Sequence, residues 1–316
     1  MDKLADNVTG LYGTEWATSS TFPKSDYVLK EGRPVGLVRG LTADGFYTTD
    51  DFTYENGVYI LKEGVADVSS AVFPNYHLHN GMNERPAGQL AYPGMAKFKD
   101  LNDDGIINDD DVDVIGDMTP VHTGGFNINA TYKNFDLGLY FNWSYGNEIY
   151  NVNKLAALYG YKEGAVYENK LSIVKDCYKI YDVVNGELVA LTTPEQLNAA
   201  NANAKLPLAY SENGYVSTLG IEDGSYLRLN TLTLGYTLPK SMLQKAGISN
   251  LRVYGSIYNV FTITGYSGID AEVSTSTSTK TYPQLGMDWG TYPRARSFVL
   301  LSLIHISEPT RPISIS

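Results

Sequence analysis

The chain has 316 residues, of which 43% are hydrophobic and 19% are charged, so it can bury a sizeable core and is not disordered by composition. Its 35 acidic and 24 basic residues give a formal net charge of -11 with no basic stripe, which excludes a nucleic-acid partner. The single cysteine, Cys177, excludes an internal disulfide framework and a cysteine-rich metal site. The 25 tyrosines and 30 glycines, beside 10 phenylalanines and 3 tryptophans, favour β structure whose faces meet different solvents.

The start of the chain carries no export signal. Met1 is followed by a polar segment that reaches Asp6, without the apolar stretch of a signal peptide. No apolar run approaches the ~20 residues of a membrane-spanning helix. We therefore expect either a cytoplasmic protein or a chain whose natural start is missing.

The first predicted strand runs from Pro34 to Tyr47, a stretch rich in glycine and valine that follows the short connection at Lys30–Gly32. A long polar connection, residues 48–122, comes next. Residues 100–111 of this connection fit a twelve-residue calcium loop, in which oxygen ligands alternate around a sharp glycine turn at Gly105. The predicted ligands are the side chains or backbone carbonyls of Asp100, Asn102, Asp104, Ile106, Asn108 and Asp111.

The calcium loop departs from an EF-hand in two ways. Its closing ligand is Asp111 rather than Glu, and no helix is evident before it, so we expect a structural calcium ion rather than a sensor. The alternative is an acidic, solvated turn.

The clearest predicted hairpin joins residues 126–132 to residues 135–145. Apolar and polar side chains alternate in both segments, and the two residues Lys133 and Asn134 lie between them. Phe135 to Tyr145 has one apolar and one polar face. Such a strand suits a wall that is apolar outside and polar inside.

A second strand pair is predicted after the long polar connection at 148–225. It comprises Tyr226 to Leu238 and Leu251 to Thr262, and the apolar set changes parity between Leu229 and Leu232, which predicts a bulge. Two short helices are expected, at 195–200 and at 240–245.

The last polar connection, residues 263–295, is rich in aromatic rings. Trp289 and Tyr292 could stack on sugar rings while Asp288 binds hydroxyl groups, and Tyr266, Tyr282, Asp270 and Arg294 could assist. The alternative is loop packing or an aromatic girdle at a membrane interface. A final strand is predicted from Arg296 to about Ser302.

The six predicted strands are separated by short and long connections that alternate strictly. Loops longer than ~15 residues are unusual in compact soluble domains, whereas outer-membrane barrels combine short periplasmic turns with long extracellular loops. We therefore predict an all-β fold, the C-terminal portion of a large antiparallel transmembrane β-barrel that is incomplete in this chain.

No catalytic constellation is predicted, and we expect no enzyme. The four histidines, at positions 77, 79, 122 and 305, lack partners by spacing, and no nucleotide-binding or nucleophile motif occurs. The acidic pairs Asp50–Asp51 and Asp109–Asp110 could serve a glycosidase, but adjacent acids on a polar loop are usually a solvated face.

Several blocks resemble the SusC/RagA family of TonB-linked outer-membrane proteins. They lie in the family's order and span nearly the whole chain: residues 97–105, 115–116, 124–127, 133–137, 222–229, 232–239, 251–254, 259–262 and 290–298. The resemblance implies an outer-membrane transporter that imports glycans, or in some relatives peptides, with a SusD-like surface lipoprotein. The inner-membrane TonB complex would act through an N-terminal part that is absent here.

The end of the chain departs from the family's pattern. Family members finish on an alternating strand with a terminal aromatic residue, whereas here Pro309 and Pro312 interrupt the sequence. The segment resembles translated adapter sequence, so we assign residues 1–301 to the receptor barrel and expect residues 302–316 to be a non-native tail. The open alternative for the whole chain is a secreted, calcium-stabilised β-sandwich that binds carbohydrate.

Overall fold

The computed structural model describes residues 10–13, 21–73, 85–158, 171–209, 214–244, 247–273 and 285–306. The chain divides into two compact units. The first, called the loop unit here, comprises Met1–Thr119, Glu148–Glu222 and Val273–Thr291. The second, called the sheet unit, comprises Pro120–Asn147, Asp223–Glu272 and Tyr292–Ser316.

Short and long strands dominate the described residues, with three short helices. The strands are β1 (Gly10–Tyr12), β2 (Thr21–Phe22), β3 (Tyr27–Leu29), β4 (Leu37–Gly40), β5 (Ala43–Phe46), β6 (Phe52–Glu55), β7 (Val58–Leu61), β8 (Asp67–Val68), β9 (Ala96–Phe98), β10 (Ile106–Ile107), β11 (Asp113–Asp117), β12 (His122–Tyr132), β13 (Phe135–Tyr145), β14 (Glu148–Asn151), β15 (Tyr181–Val184), β16 (Glu187–Ala190), β17 (Gly214–Tyr215), β18 (Ile221–Asp223), β19 (Tyr226–Thr237), β20 (Ile248–Thr264), β21 (Met287–Asp288) and β22 (Ser297–Ile306). The helices are α1 (Val152–Leu158), α2 (Pro194–Asn201) and α3 (Lys240–Leu243). None of the described helices has the length and apolar character needed to cross a membrane.

The sheet unit is one antiparallel meander in the order β12-β13-β19-β20-β22. Its strands are 10 to 17 residues long, whereas strands of the loop unit have 2 to 5 residues. Because consecutive strands are neighbours, the short connections at 133–134 and 238–247 leave one end of the sheet and the long ones leave the other. The predicted alternation of short and long connections is therefore confirmed for these five strands.

Two local predictions in the sheet unit are confirmed. Tyr132 pairs with Phe135, so Lys133 and Asn134 form the two-residue turn, and Lys133 takes the left-handed φ of 54°. The register of β19 shifts on both sides between Leu229 and Thr231, which leaves Asn230 as the bulged residue. The bulge accounts for the change of parity in the sequence.

The two faces of this sheet differ in chemistry. One face carries Ile128, Leu139, Leu232 and Ile257 in register with one another. The opposite face carries polar groups, among them the Arg252–Asp136 pair, which makes two hydrogen bonds of 3.0 and 2.5 Å across the intervening Gly235. The apolar-outside, polar-inside alternation that the sequence predicts therefore continues across the sheet.

The last strand is longer than the sequence predicts. β22 ends at Ile306 rather than near Ser302, and Leu303 and Ile304 pair with Arg252 and Leu251 of β20. Apolar residues here meet the open edge of a 17-residue strand, and the prolines come only afterwards, outside the described residues. The sheet pairing thus enters the segment predicted as a non-native tail, whose origin stays a prediction.

The loop unit has a core of its own, which the sequence did not predict. The rings of Tyr27, Tyr47, Tyr59, Tyr92 and Tyr150 are fully buried. Several hydroxyls donate to distant backbone carbonyls: Tyr27 to Leu285 at 2.6 Å and Tyr59 to Thr192 at 3.0 Å. The long connections therefore fold as a packed unit rather than as open loops.

The predicted barrel strand from Pro34 to Tyr47 is wrong. The segment instead forms the short strands β4 and β5 of the loop unit, and β4 pairs with β3 and β11. Its apolar side chains are buried on both faces, and a Cβ at Gly40 would lie 2.5 Å from the carbonyl oxygen of Val216. Because this stretch is packed on both faces, its sequence is continuously apolar, and such a pattern predicts one strand that is longer than those formed.

Candidate functional site

The predicted calcium loop is closed by its own side chains. The Asp100 carboxylate accepts from the backbone N–H groups of Asp104 and Gly105 at 3.3 and 2.7 Å, and that of Asp104 accepts from Ile106 at 2.8 Å. Asn102 also accepts from Asp104 N–H, at 3.1 Å. Gly105 takes φ +84°, the left-handed turn that the motif requires.

The remaining predicted ligands hold the end of the loop. Asp111 is fully buried, and its two oxygens accept from the backbone N–H groups of Leu101 and Asn108 at 2.7 and 2.8 Å. The Asn108 side chain accepts from Asp110 and donates to the Ile106 carbonyl.

An ion in this loop would depend on mixed donors. In the described part of the chain, no three His, Cys, Asp or Glu side chains are grouped as metal ligands. Calcium would therefore need the amide of Asn102 and the carbonyl of Ile106 beside the carboxylates, all of them the hard oxygen donors that calcium prefers. The residues fit that donor set, and the turn they require is formed.

The three predicted sugar-binding residues differ in burial. Asp288 is buried in β21, where it pairs with Asn151 of β14 and accepts from the Asn153 amide at 3.0 Å. These contacts give Asp288 structural surroundings, and its role in sugar binding stays a prediction. Trp289, of the loop unit, and Tyr292, of the sheet unit, are exposed, at 40% and 88%.

The other candidate residues, namely the aromatic residues, the histidines and the acidic pairs, lie in different surroundings. Tyr266 is buried, and Tyr282 lies outside the described residues, as do His77 and His79. His122 accepts from the Trp143 indole N–H at 3.0 Å. Asp51 binds Lys97 at 2.7 Å, and Asp109 and Asp110 begin a short turn, so both acidic pairs have structural surroundings.

A charged cluster in the sheet unit was only partly predicted. Arg228 is buried in β19 and donates to Thr262 at 2.9 Å, to Glu272 at 3.0 Å and to Asp270. Arg294 also contacts Glu272, at 2.9 Å, and Asp270, at 3.5 Å. Each carboxylate therefore bridges two guanidinium groups, which offsets the cost of burying Arg228.

This cluster borders an open cleft of about 230 Å³. Its lining includes Arg228, Asp270, Arg294, Arg296, Thr262 and Thr264. Arg296 donates through Nε and Nη2 to the carbonyls of Asn259 and Val260, at 3.2 and 2.6 Å. Asn259 takes the left-handed φ of 54° next to the bulge, which directs these carbonyls towards the guanidinium.

Sequence reasoning missed Arg228, Glu272 and Arg296. A signal was present, because Arg228 is the only charged side chain in β19 and alternation puts it on the polar face. The cleft can supply guanidinium donors and hydroxyls to a ligand.

Comparisons with known proteins agree with this fold. No family model matches the chain. The TonB-dependent receptor P3 of Formosa agariphila is 30% identical over 278 residues, covering 86% of this chain and 22% of the receptor. The TonB-dependent receptor SusC of Bacteroides thetaiotaomicron is 33% identical over 130 residues, covering 39% of this chain and 12% of SusC. The RagAB peptide importer in its closed-closed state superposes with a TM-score of 0.54 at 18% identity, over 89% of this chain and 24% of that one.

The chain belongs to the SusC/RagA family of TonB-dependent receptors.

This SusC/RagA chain spans about a fifth to a quarter of the length of the proteins it matches. The family resemblance and the fold class predicted from the sequence are both confirmed, and the open five-stranded sheet is consistent with an incomplete receptor barrel. The matched proteins are named receptors, importers and transporters rather than enzymes.

Proposed function

We propose that this chain is part of an outer-membrane transporter that imports oligosaccharides. The observation that carries the proposal is the exposure pattern of the sheet unit, in which apolar side chains are exposed on one face and a charged side chain is buried on the other. Leu300 and Phe298 expose 77% and 72% of their surfaces on the apolar face, whereas Arg228 is 3% exposed on the polar one. Apolar side chains outside and charged ones inside suit a wall between lipid and an aqueous lumen.

The alternative, a secreted carbohydrate-binding sandwich, is disfavoured by the same face. A sandwich buries one face of each sheet against a second sheet. Here the exposed apolar residues continue from β12 to β22, from Ile128 through Leu234 to Leu300. A soluble domain would have to leave this whole face in water.

Transport would be a property of the complete receptor. By its family, that receptor would work with a SusD-like surface lipoprotein and draw energy from the TonB complex through a part outside this chain. With β22 ending on the periplasmic side, the long connections are extracellular and meet ligand and lipoprotein. A calcium ion at residues 100–111 would stiffen one of these connections.

Lipid contact can be tested with matched probes on adjacent residues. On a Cys177→Ala background, Leu234→Cys and Thr233→Cys place a fluorophore on the apolar and the polar face of β19. In lipid vesicles, acyl-chain nitroxides should quench the probe at 234, and aqueous iodide should quench the probe at 233. Equal quenching of both probes by iodide would contradict the membrane assignment.

Import needs a second experiment on the complete receptor. Cells that carry the receptor and its lipoprotein should take up a labelled oligosaccharide, and deletion of either gene should abolish uptake. Uptake of peptides in place of oligosaccharides would contradict the proposed substrate class.

A further inference from the structure

We infer that the cleft beside Arg228 binds a carboxylate group of an acidic oligosaccharide, an assignment that rests on the proposed oligosaccharide transport. The chain as a whole carries a net charge of -11. The cleft instead brings together three arginines, at positions 228, 294 and 296, while Asp270 and Glu272 bond two of them. Three positive and two negative side chains leave one net positive charge beside the cleft, opposite in sign to the charge of the whole chain, which favours an anionic ligand.

The three arginines divide into a buried support and two exposed donors. Arg228 uses its Nε, Nη1 and Nη2 groups on Thr262, Glu272 and Asp270, so it holds the acidic residues in place. Those acids in turn hold Arg294 through its Nε and Nη1 groups. Arg294 is therefore oriented by the protein before any ligand arrives, although its side chain is 45% exposed.

Donor groups remain for a ligand on both exposed arginines. Within the described residues, Arg294 Nη2 and Arg296 Nη1 make no hydrogen bond to protein. Arg294 Nη1 and Arg296 Nε and Nη2 donate hydrogen bonds, and Arg294 Nε lies 3.5 Å from Asp270. Pro293 lies in the lining beside them and restricts the backbone there. Two guanidinium groups fixed in this way suit a carboxylate, which accepts paired hydrogen bonds from arginine.

A sugar acid fits the rest of the lining. Thr262 lines the cleft on the same face as Arg228, and its hydroxyl lies 2.9 Å from Arg228 Nε. Hydroxyls are among the groups that recognise the body of a sugar, while the arginines would recognise its uronate carboxylate.

The test compares ligands that differ only at the carboxylate. The 316-residue chain in detergent micelles is titrated by calorimetry with trigalacturonate and with its methyl ester. We expect the ester to bind at least about tenfold more weakly, because it accepts no charge-assisted hydrogen bonds. Equal binding of acid and ester, or no binding of trigalacturonate, would overturn the inference.

A matched pair of variants locates the site. Arg294→Gln with Arg296→Gln should weaken trigalacturonate binding by at least about tenfold. Lys133→Gln with Lys240→Gln removes the same charge at the other end of the sheet and should leave affinity unchanged. Circular dichroism checks that both variants fold, and an equal loss of affinity in both would indicate general charge attraction and overturn the assignment of a site.

A third titration, with a peptide, distinguishes a sugar carboxylate from a peptide carboxylate as the ligand. Tetra-alanine with a free C-terminus is compared with its amide, and binding of this peptide without binding of trigalacturonate would overturn the assignment to a sugar acid. The quenching experiment on positions 233 and 234 does not involve the cleft. If trigalacturonate does not bind but the quenching experiment gives the expected result, only this inference is overturned. If the quenching experiment fails, the proposed function is overturned.

Discussion

Asp51 shows how one carboxylate can stabilise a turn at the edge of the tyrosine core. It accepts from Lys97 Nζ and from Thr48 N–H, both at 2.7 Å. Burial alone would raise the pKa of Asp51, but the hydrogen bonds from Lys97 and Thr48 outweigh it and leave the pKa below its ordinary value. The ionised form is therefore favoured by folding.

Replacing Asp51 should produce a pH-dependent loss of stability. With a lower pKa in the folded state, the carboxylate stabilises the fold above its unfolded pKa of about 4, and this contribution is lost as the pH falls through the folded value. Asp51→Asn should thus lower the melting temperature at pH 7, and the difference from wild type should shrink towards pH 3. Circular dichroism melts measure it, with the exposed Asp44→Asn as control; a difference independent of pH would contradict the prediction.

The calcium loop can be tested at single ligands. Calcium should raise the melting temperature of the chain, by an amount equivalent to about 2.7 kcal/mol at a hundredfold excess over Kd. Asp104→Ala should abolish the rise, because it removes a central oxygen ligand. Asp103→Asn is the control, since its residue is not a predicted ligand and asparagine tolerates the φ of 57° found there. Absence of any rise in the wild type would exclude the site.

The elements show which sequence patterns determine structure. Alternation over eleven residues in β13 predicted its two faces, and the parity change at Asn230 predicted the bulge, because both depend on neighbours within the strand. Helix α2 was predicted by Pro194 at its start, and its Thr193 cap is formed. These features depend on residues close together in the chain and could therefore be predicted from the sequence.

Other features depend on contacts between residues far apart in the chain and could not be predicted from the sequence. β4 joins β11, more than 70 residues later, and the Arg228 cluster joins β19 to residues beyond β20. The burial of Asp288 was not predicted because its hydrogen-bond partner, Asn153, comes 135 residues earlier. Tertiary burial decided each of these cases.

The close approach at β4 provides a test of this packing. A Cβ at Gly40 would lie 2.5 Å from the Val216 carbonyl oxygen, which is backbone and cannot turn aside. Gly40→Ala should destabilise the fold by about 1–3 kcal/mol. Gly265→Ala meets nothing within 4 Å and is the control in urea unfolding. Equal stability of both variants would show that the backbone yields at β4.

At the scale of the molecule, the sheet unit should respond to charge on one face only. Ile128 and Asn129 are adjacent, exposed residues of β12 on opposite faces. In lipid vesicles, Ile128→Arg should cost about 2–4 kcal/mol if it lies near the bilayer centre, and Asn129→Arg should cost little. Urea unfolding followed by tryptophan fluorescence measures both, and equal costs would contradict a lipid-facing apolar surface.

The hydrogen bond of the Tyr27 hydroxyl affects the order in which the parts of the chain fold. It reaches the carbonyl of Leu285, 258 residues later in the chain, and Tyr150 of β14 pairs with Met287 of β21, which is 287 − 150 = 137 residues later. The meander, by contrast, joins each of its strands to the next strand of the same sheet along the chain. Strand pairing can therefore begin while the chain is still emerging, but the tyrosine core stays open until residues 285–288 have arrived, so its closure reports that nearly the whole chain has been delivered.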